Sequence, residues 1–141
     1  MSVSKEFVKN LIRDIEYAVR EVNRIVSKSY DELSDEDKMA IRYELIVIAE
    51  ALMALVMHIV RRGGLNERPK TPINALMMAR DRGGLLTMNE YEDLTKLVRL
   101  RNLLVHRYWV IDDYLIYRSI KSDFKSLASF IDRLRSRYGI R

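Results

Sequence analysis

Three observations in this sequence predict an all-α fold. Apolar residues recur every three or four positions through long segments, strand-type alternation is scarce, and only five glycines and two prolines interrupt 141 residues. Helices that each bury one stripe, joined by short links, make an antiparallel four-helix bundle with one additional short helix. With 48% hydrophobic residues the chain can fill one core of ordinary size, so a single domain spanning 1–141 is expected.

The first helix is expected from about Ser4 to Ser27, with Phe7, Leu11, Ile15, Ala18, Val22 and Ile25 on one inward stripe. SYDELSDED then breaks the pattern, and Ser34 with Asp37 three residues on forms a capping box that opens a second helix, with acids in the first turn where the dipole favours them. That helix runs to about Arg62, apolar on nearly every side between Leu45 and Val60, and Gly63-Gly64 ends it. Thr71-Pro72 suits the cap and first turn of a short third helix, which Gly83-Gly84 ends. Thr87 and Glu90 make a second capping box and open a fourth helix with Tyr91, Leu94, Leu97 or Val98, Leu104 and Val105 inward. Asp112 or Asp113 caps a last helix, whose stripe is Tyr117, Ile120, Phe124, Leu127, Ile131 and Leu134.

Composition narrows the function. The absence of cysteine excludes thiol nucleophiles, thiolate metal sites and disulfides, and agrees with a cytoplasmic location. The N-terminus carries charges where a signal peptide has its apolar region. The most apolar run, residues 45–60, is 16 residues long and contains Glu50 and His58, whereas a bilayer span needs about 20; no membrane association is expected. Glu50 within that run needs a cation, and Arg101 and Arg42 are the candidates. Two isolated histidines do not compose a metal site, so no metal or other cofactor is expected.

The net charge of +5 is unevenly placed: residues 1–95 hold 14 basic and 16 acidic side chains, and residues 96–141 hold 11 basic and 4 acidic. A local basic field of this kind attracts polyanions such as RNA, or is simply a solvated helix face. At its head stands RNLLVHRYW, residues 101–109. His106, near a helix C-terminus, can take and give a proton, and Arg101 can hold a phosphate bidentately. Asn102, one turn before His106 on the same face, can orient it or bind a phosphate oxygen. On one helix Arg101 and His106 lie about 140° apart and flank a ridge, so a site needs a second copy of the helix across a two-fold axis. A homodimer is therefore expected. The plainer alternative is that Arg101 pairs with a carboxylate and His106 caps a helix end. Tyr108 points away from His106 if the helix continues, and to the same side if the chain leaves the helix near Arg107.

These residues resemble a known family. Arg101, His106 and Tyr108 match the R-x4-H-x-Y motif of the HepT-like toxins, a branch of the HEPN superfamily. YELIVIAEALMALVMHIVRRGG resembles the family's second helix, with its glutamate-alanine pair at Glu50-Ala51 and Ala49 where a glycine is usual; ALMMARDRGGLL and YWVIDDYLIY resemble its third helix and its entry to the last helix. The resemblance covers about the whole chain. It implies a homodimeric, metal-independent endoribonuclease, the toxin of a toxin–antitoxin module. Arg101 and His106 would be catalytic, Asn102 supporting, and Tyr108 the site at which a minimal nucleotidyltransferase antitoxin attaches AMP. The competing readings are a non-catalytic nucleotide- or partner-binding subunit of a nucleotidyltransferase complex, and a bundle whose only role is dimerisation.

Overall fold

The computed structural model describes residues 2–64 and 67–141; Leu65 and Asn66, within the loop expected after Gly64, lie outside the described residues. Five helices and no strands are present among them: α1 (Lys5–Ile25), α2 (Asp35–Arg62), α3 (Pro72–Asp81), α4 (Met88–His106) and α5 (Asp113–Tyr138). Single 3-10 turns at Tyr30–Glu32 and Tyr108–Val110 lead into α2 and α5.

The helix starts follow the local chemistry. Ser34 and Asp37, and Thr87 and Glu90, form reciprocal capping boxes, and the Thr71 hydroxyl accepts from the Asn74 amide ahead of Pro72. Between Asp112 and Asp113 the structure selects Asp112, whose Oδ1 accepts from the amides of Tyr114 (3.0 Å) and Leu115 (3.2 Å). Asp113 is left for an ion pair. Gly139 closes α5 at φ 63°, a left-handed conformation that costs glycine nothing.

Long-range bonds fix the topology. The Ser4 amide at the head of α1 donates to Nε2 of His58 near the end of α2 (3.0 Å), so α1 and α2 are antiparallel. Arg42, early in α2, makes a bidentate pair with Asp113 at the head of α5 (2.8 and 2.8 Å), and the Tyr117 hydroxyl donates to the Lys28 carbonyl just beyond α1 (2.6 Å). Arg133, late in α5, reaches the Leu85 carbonyl (2.7 Å) and Glu90 at the head of α4 (2.6 and 3.1 Å). Neighbours therefore alternate in direction around the ring α1, α2, α4, α5, with α3 against α2 and α4. One end of the bundle gathers the end of α4, the start of α5 and the start of α2.

One continuous core draws on all five helices. Helix α2 is long and apolar enough to cross a membrane by length and composition; here ten of its residues between Ile41 and Val60 are buried, all but Ala49 within that core. Three side-chain expectations need correction. The α1 stripe begins with Val8 and Ile12, and Phe7 lies outside it, stacked on the His58 ring at 4.6 Å. Ile116 takes the first core position of α5 while Tyr117 is half-buried, its hydroxyl spent on Lys28. Val105, expected inward, is 42% exposed.

Candidate functional site

The sequence-predicted residues stand at the bundle end where α4 stops. Helix α4 ends at His106 because Arg107 leaves helical geometry (φ −144°, ψ 48°), its amide still bonded to the Leu103 carbonyl. The exit into the Tyr108–Val110 turn takes Tyr108 off the helix, so the 3.6-residue period does not carry it to the face opposite His106. Tyr108 and Trp109 are 62% and 67% exposed and meet edge to face at 5.6 Å. His106 is exposed, and its imidazole has no hydrogen-bond partner among the described residues. A histidine so placed is open to a ligand.

Arg101 is held. Its Nη2 donates to Oε1 of Glu50 and its Nη1 to Oδ1 of Asn102, both at 3.1 Å, while Nε is buried with no partner among the described residues. The structure thus chooses Arg101 over Arg42 as the cation for Glu50, and Arg42 serves Asp113 instead. Glu50 is not in the apolar interior that its neighbours suggested: half of its side chain meets solvent, facing α4. Arg101 and Asn102 are thereby joined directly. Arg101 and His106, five residues apart, stand about 140° apart around α4 and about 7.5 Å apart along it. One chain does not bring them onto one face.

The surface around this motif is apolar and uncovered. Leu103, Val110 and Leu115 are exposed and, with Leu100, line a groove of about 260 Å³ between α4 and α5; Trp109 is exposed beyond it, and Val105 is exposed about 160° around α4 from Leu103. Exposed apolar side chains gathered at one groove mark an interaction surface. This patch escaped sequence reading, since the leucines there satisfy a core pattern equally well.

His58 has a different part. Its Nε2 accepts the Ser4 amide, Phe7 covers its ring, and burial followed by the charge of Arg62 lowers its pKa below the usual histidine value. The neutral imidazole locks the head of α1 to α2. No group of three or more metal-ligating side chains occurs among the described residues.

The family model for "Ribonuclease HepT-like" proteins matches residues 15–134 of the chain. Among solved structures, a MntA-HpeT toxin–antitoxin complex superposes with a TM-score of 0.81 at 20% identity, over 93% of this chain and 98% of that one. The tri-AMPylated Shewanella oneidensis HEPN toxin in complex with its MNT antitoxin gives 0.82 at 20% identity, over 92% and 97%. YutE from Bacillus subtilis, described as a cytosolic protein of unknown function, gives 0.80 at 20% identity, over 95% and 90%. No protein of curated function matches the sequence.

Proposed function

We propose that this chain, which belongs to the HepT-like ribonuclease family, is a homodimeric endoribonuclease that needs no metal and acts as the toxin of a toxin–antitoxin pair. The observation that carries this reading is the end of α4. There Arg101, tethered to Glu50 and Asn102, and His106, without a hydrogen-bond partner among the described residues, flank a ridge beside uncovered apolar side chains. A second copy docked on that apolar surface covers it and supplies, across a two-fold axis, the face that one helix lacks.

In the proposed cleft, His106 takes the proton of a ribose 2′-hydroxyl as that oxygen attacks phosphorus. The bond from phosphorus to the 5′-oxygen breaks, and a protonated imidazole returns a proton to the departing oxygen. Arg101 neutralises charge on the phosphoryl oxygens, and Asn102 holds the guanidinium or a phosphate oxygen. Metal-independence in this scheme comes from the histidine and arginine supplying both proton transfer and charge.

We further propose that Tyr108 is the off switch. Its exposed hydroxyl attacks the α-phosphorus of ATP on a nucleotidyltransferase antitoxin, releasing its proton to solvent as the bond to pyrophosphate breaks and pyrophosphate leaves. The adenylate places bulk and negative charge beside His106 and repels the RNA backbone. The relative carrying AMP with a bound MNT antitoxin supports this assignment of partner and modification.

The test is partner-free protein incubated with RNA in EDTA, beside His106→Ala and Arg101→Ala. Cleavage by the unmodified protein that persists in chelator and disappears in both variants supports the reading. Equal inactivity of all three, with tight antitoxin binding, would replace it with a non-catalytic partner-binding subunit.

A further inference from the structure

Of the eleven basic side chains in residues 96–141, five are spent on protein partners and three stand free along α5, while Arg99, Arg107 and Arg141 are exposed elsewhere. Lys96, Arg101, Arg133 and Arg135 are spent on carboxylates, and Arg137 on the Gly83 carbonyl. Arg118, Lys121 and Lys125 on α5 are exposed and make no ion pair among the described residues. Spaced by three and four, they fall with Tyr114 within about 60° of arc, so they form one stripe. The carboxylates of α5 near it are otherwise engaged: Asp112 caps the helix, Asp113 is bound by Arg42, and Asp123 is buried against Lys96. Asp132 marks its far end.

The head of the stripe is aromatic. The Arg118 guanidinium lies 5.7 Å from the Tyr114 ring, which meets Tyr30 at 5.1 Å, and Lys38 stands 5.0 Å over Tyr30. Across the short turn that opens α5, Tyr108 and Trp109 expose two more rings next to His106. Arg118 to Lys125 spans about 10 Å of helix. A stacked strand carries one phosphate per about 3.4 Å of axis, so the three cations cover the reach of about three successive phosphates.

We propose that Tyr114, Arg118, Lys121 and Lys125 form a binding track for single-stranded RNA, which follows the backbone along α5 and delivers the strand to His106. The proposal deepens the ribonuclease reading and rests on it. Cations at phosphate spacing position a strand without reading its sequence, and exposed aromatic rings stack only on bases that are not paired. The substrate class is therefore unpaired RNA with several nucleotides on one side of the scissile bond.

The experiment measures fluorescence anisotropy of a labelled mixed-sequence single-stranded RNA in a His106→Ala background, as a function of salt. The triple variant R118Q/K121Q/K125Q is compared with K5Q/K9Q/R13Q, which removes the same charge from the far end of α1. Loss of three phosphate contacts lowers the slope of log K against log salt by about 2, at about 0.7 per contact, and the control leaves it unchanged. Unpaired RNA should also outcompete a duplex of the same sequence. Equal slopes for the two triple variants, with cleavage intact when His106 is restored, overturn the track and leave the ribonuclease reading standing. Unchanged RNA binding with lost antitoxin binding also overturns it and gives this face to the protein partner. If the unaltered protein neither binds nor cleaves RNA, both readings fall together. Melting temperatures of both variants should match that of the parent, which separates lost contacts from lost folding.

Discussion

Arg101 donates to Glu50 across the gap between α4 and α2, 3.1 Å from Nη2 to Oε1, with Asn102 holding the other Nη at the same distance. Half-exposed Glu50 contributes little to stability in such a pair, about 1 kcal/mol at most. Its effect falls on the direction of the guanidinium. Glu50→Ala should therefore lower the single-turnover cleavage rate about tenfold, since a misplacement of about 1 Å at a reacting centre costs up to a hundredfold. Glu50→Gln, whose amide oxygen accepts the same bond, should keep most of the rate. Equal loss in both variants would mean that charge, and not orientation, is what Glu50 supplies.

The helix starts were legible because their chemistry is local. Ser34 with Asp37 and Thr87 with Glu90 are three residues apart, and each pair closes on itself whatever the rest of the chain does. Phe7 was misassigned because Phe7–Leu11 and Val8–Ile12 are adjacent stripes, about 100° apart around α1, and only tertiary packing chooses between them. The pairing of Ser4 with His58, 54 residues apart, and of Arg42 with Asp113, 71 apart, has no sequence signature at all. The motif residues are legible as a pattern, whereas the need to neutralise Glu50 offers both Arg101 and Arg42, and only the packing of α4 on α2 chooses between them. The uncovered groove beside them is invisible in the sequence, because exposed leucines such as Leu103 and Leu115 have the same spacing as core leucines until the packing of α4 and α5 is known.

His58 predicts a pH dependence of stability. Its folded pKa is lowered by burial and by Arg62, so the neutral form is favoured in the native state. The contribution is present above the unfolded value of about 6.5 and is lost as pH falls through the lower folded one. Between about pH 7.5 and 5 the melting temperature of His58→Gln, which accepts the Ser4 amide without titrating, should fall less than that of the parent. Parallel decline of the two proteins would assign the acid sensitivity elsewhere.

Glu90 predicts a second, more acidic dependence. Burial pushes its carboxyl up, but Arg133 and the Thr87 cap together hold it below the usual glutamate range. Its stabilisation is present above the unfolded pKa and disappears as pH falls through the folded one. Breaking a fully buried pair costs about 3–5 kcal/mol, and since 34% of the Arg133 side chain meets water, Arg133→Met should cost about 2 kcal/mol in urea unfolding. Adding Glu90→Gln should recover part of that loss, because the orphaned charge is then removed.

Tyr108 predicts a mass change. Co-expression with a nucleotidyltransferase antitoxin should add adenylate-sized increments to the intact chain, and Tyr108→Phe should remove them while leaving RNA cleavage by the free protein intact. Increments that survive the substitution would place the modified hydroxyl elsewhere.

The most direct test of the central claim is the chemistry of the cut end. If His106 activates the ribose 2′-hydroxyl, the 5′ fragment from a synthetic RNA should carry a 2′,3′-cyclic phosphate or its hydrolysed 2′- or 3′-phosphate by mass spectrometry, and the same strand with 2′-O-methyl groups throughout should stay whole. A 3′-hydroxyl on that fragment, or equal cutting of the methylated strand, would contradict the account.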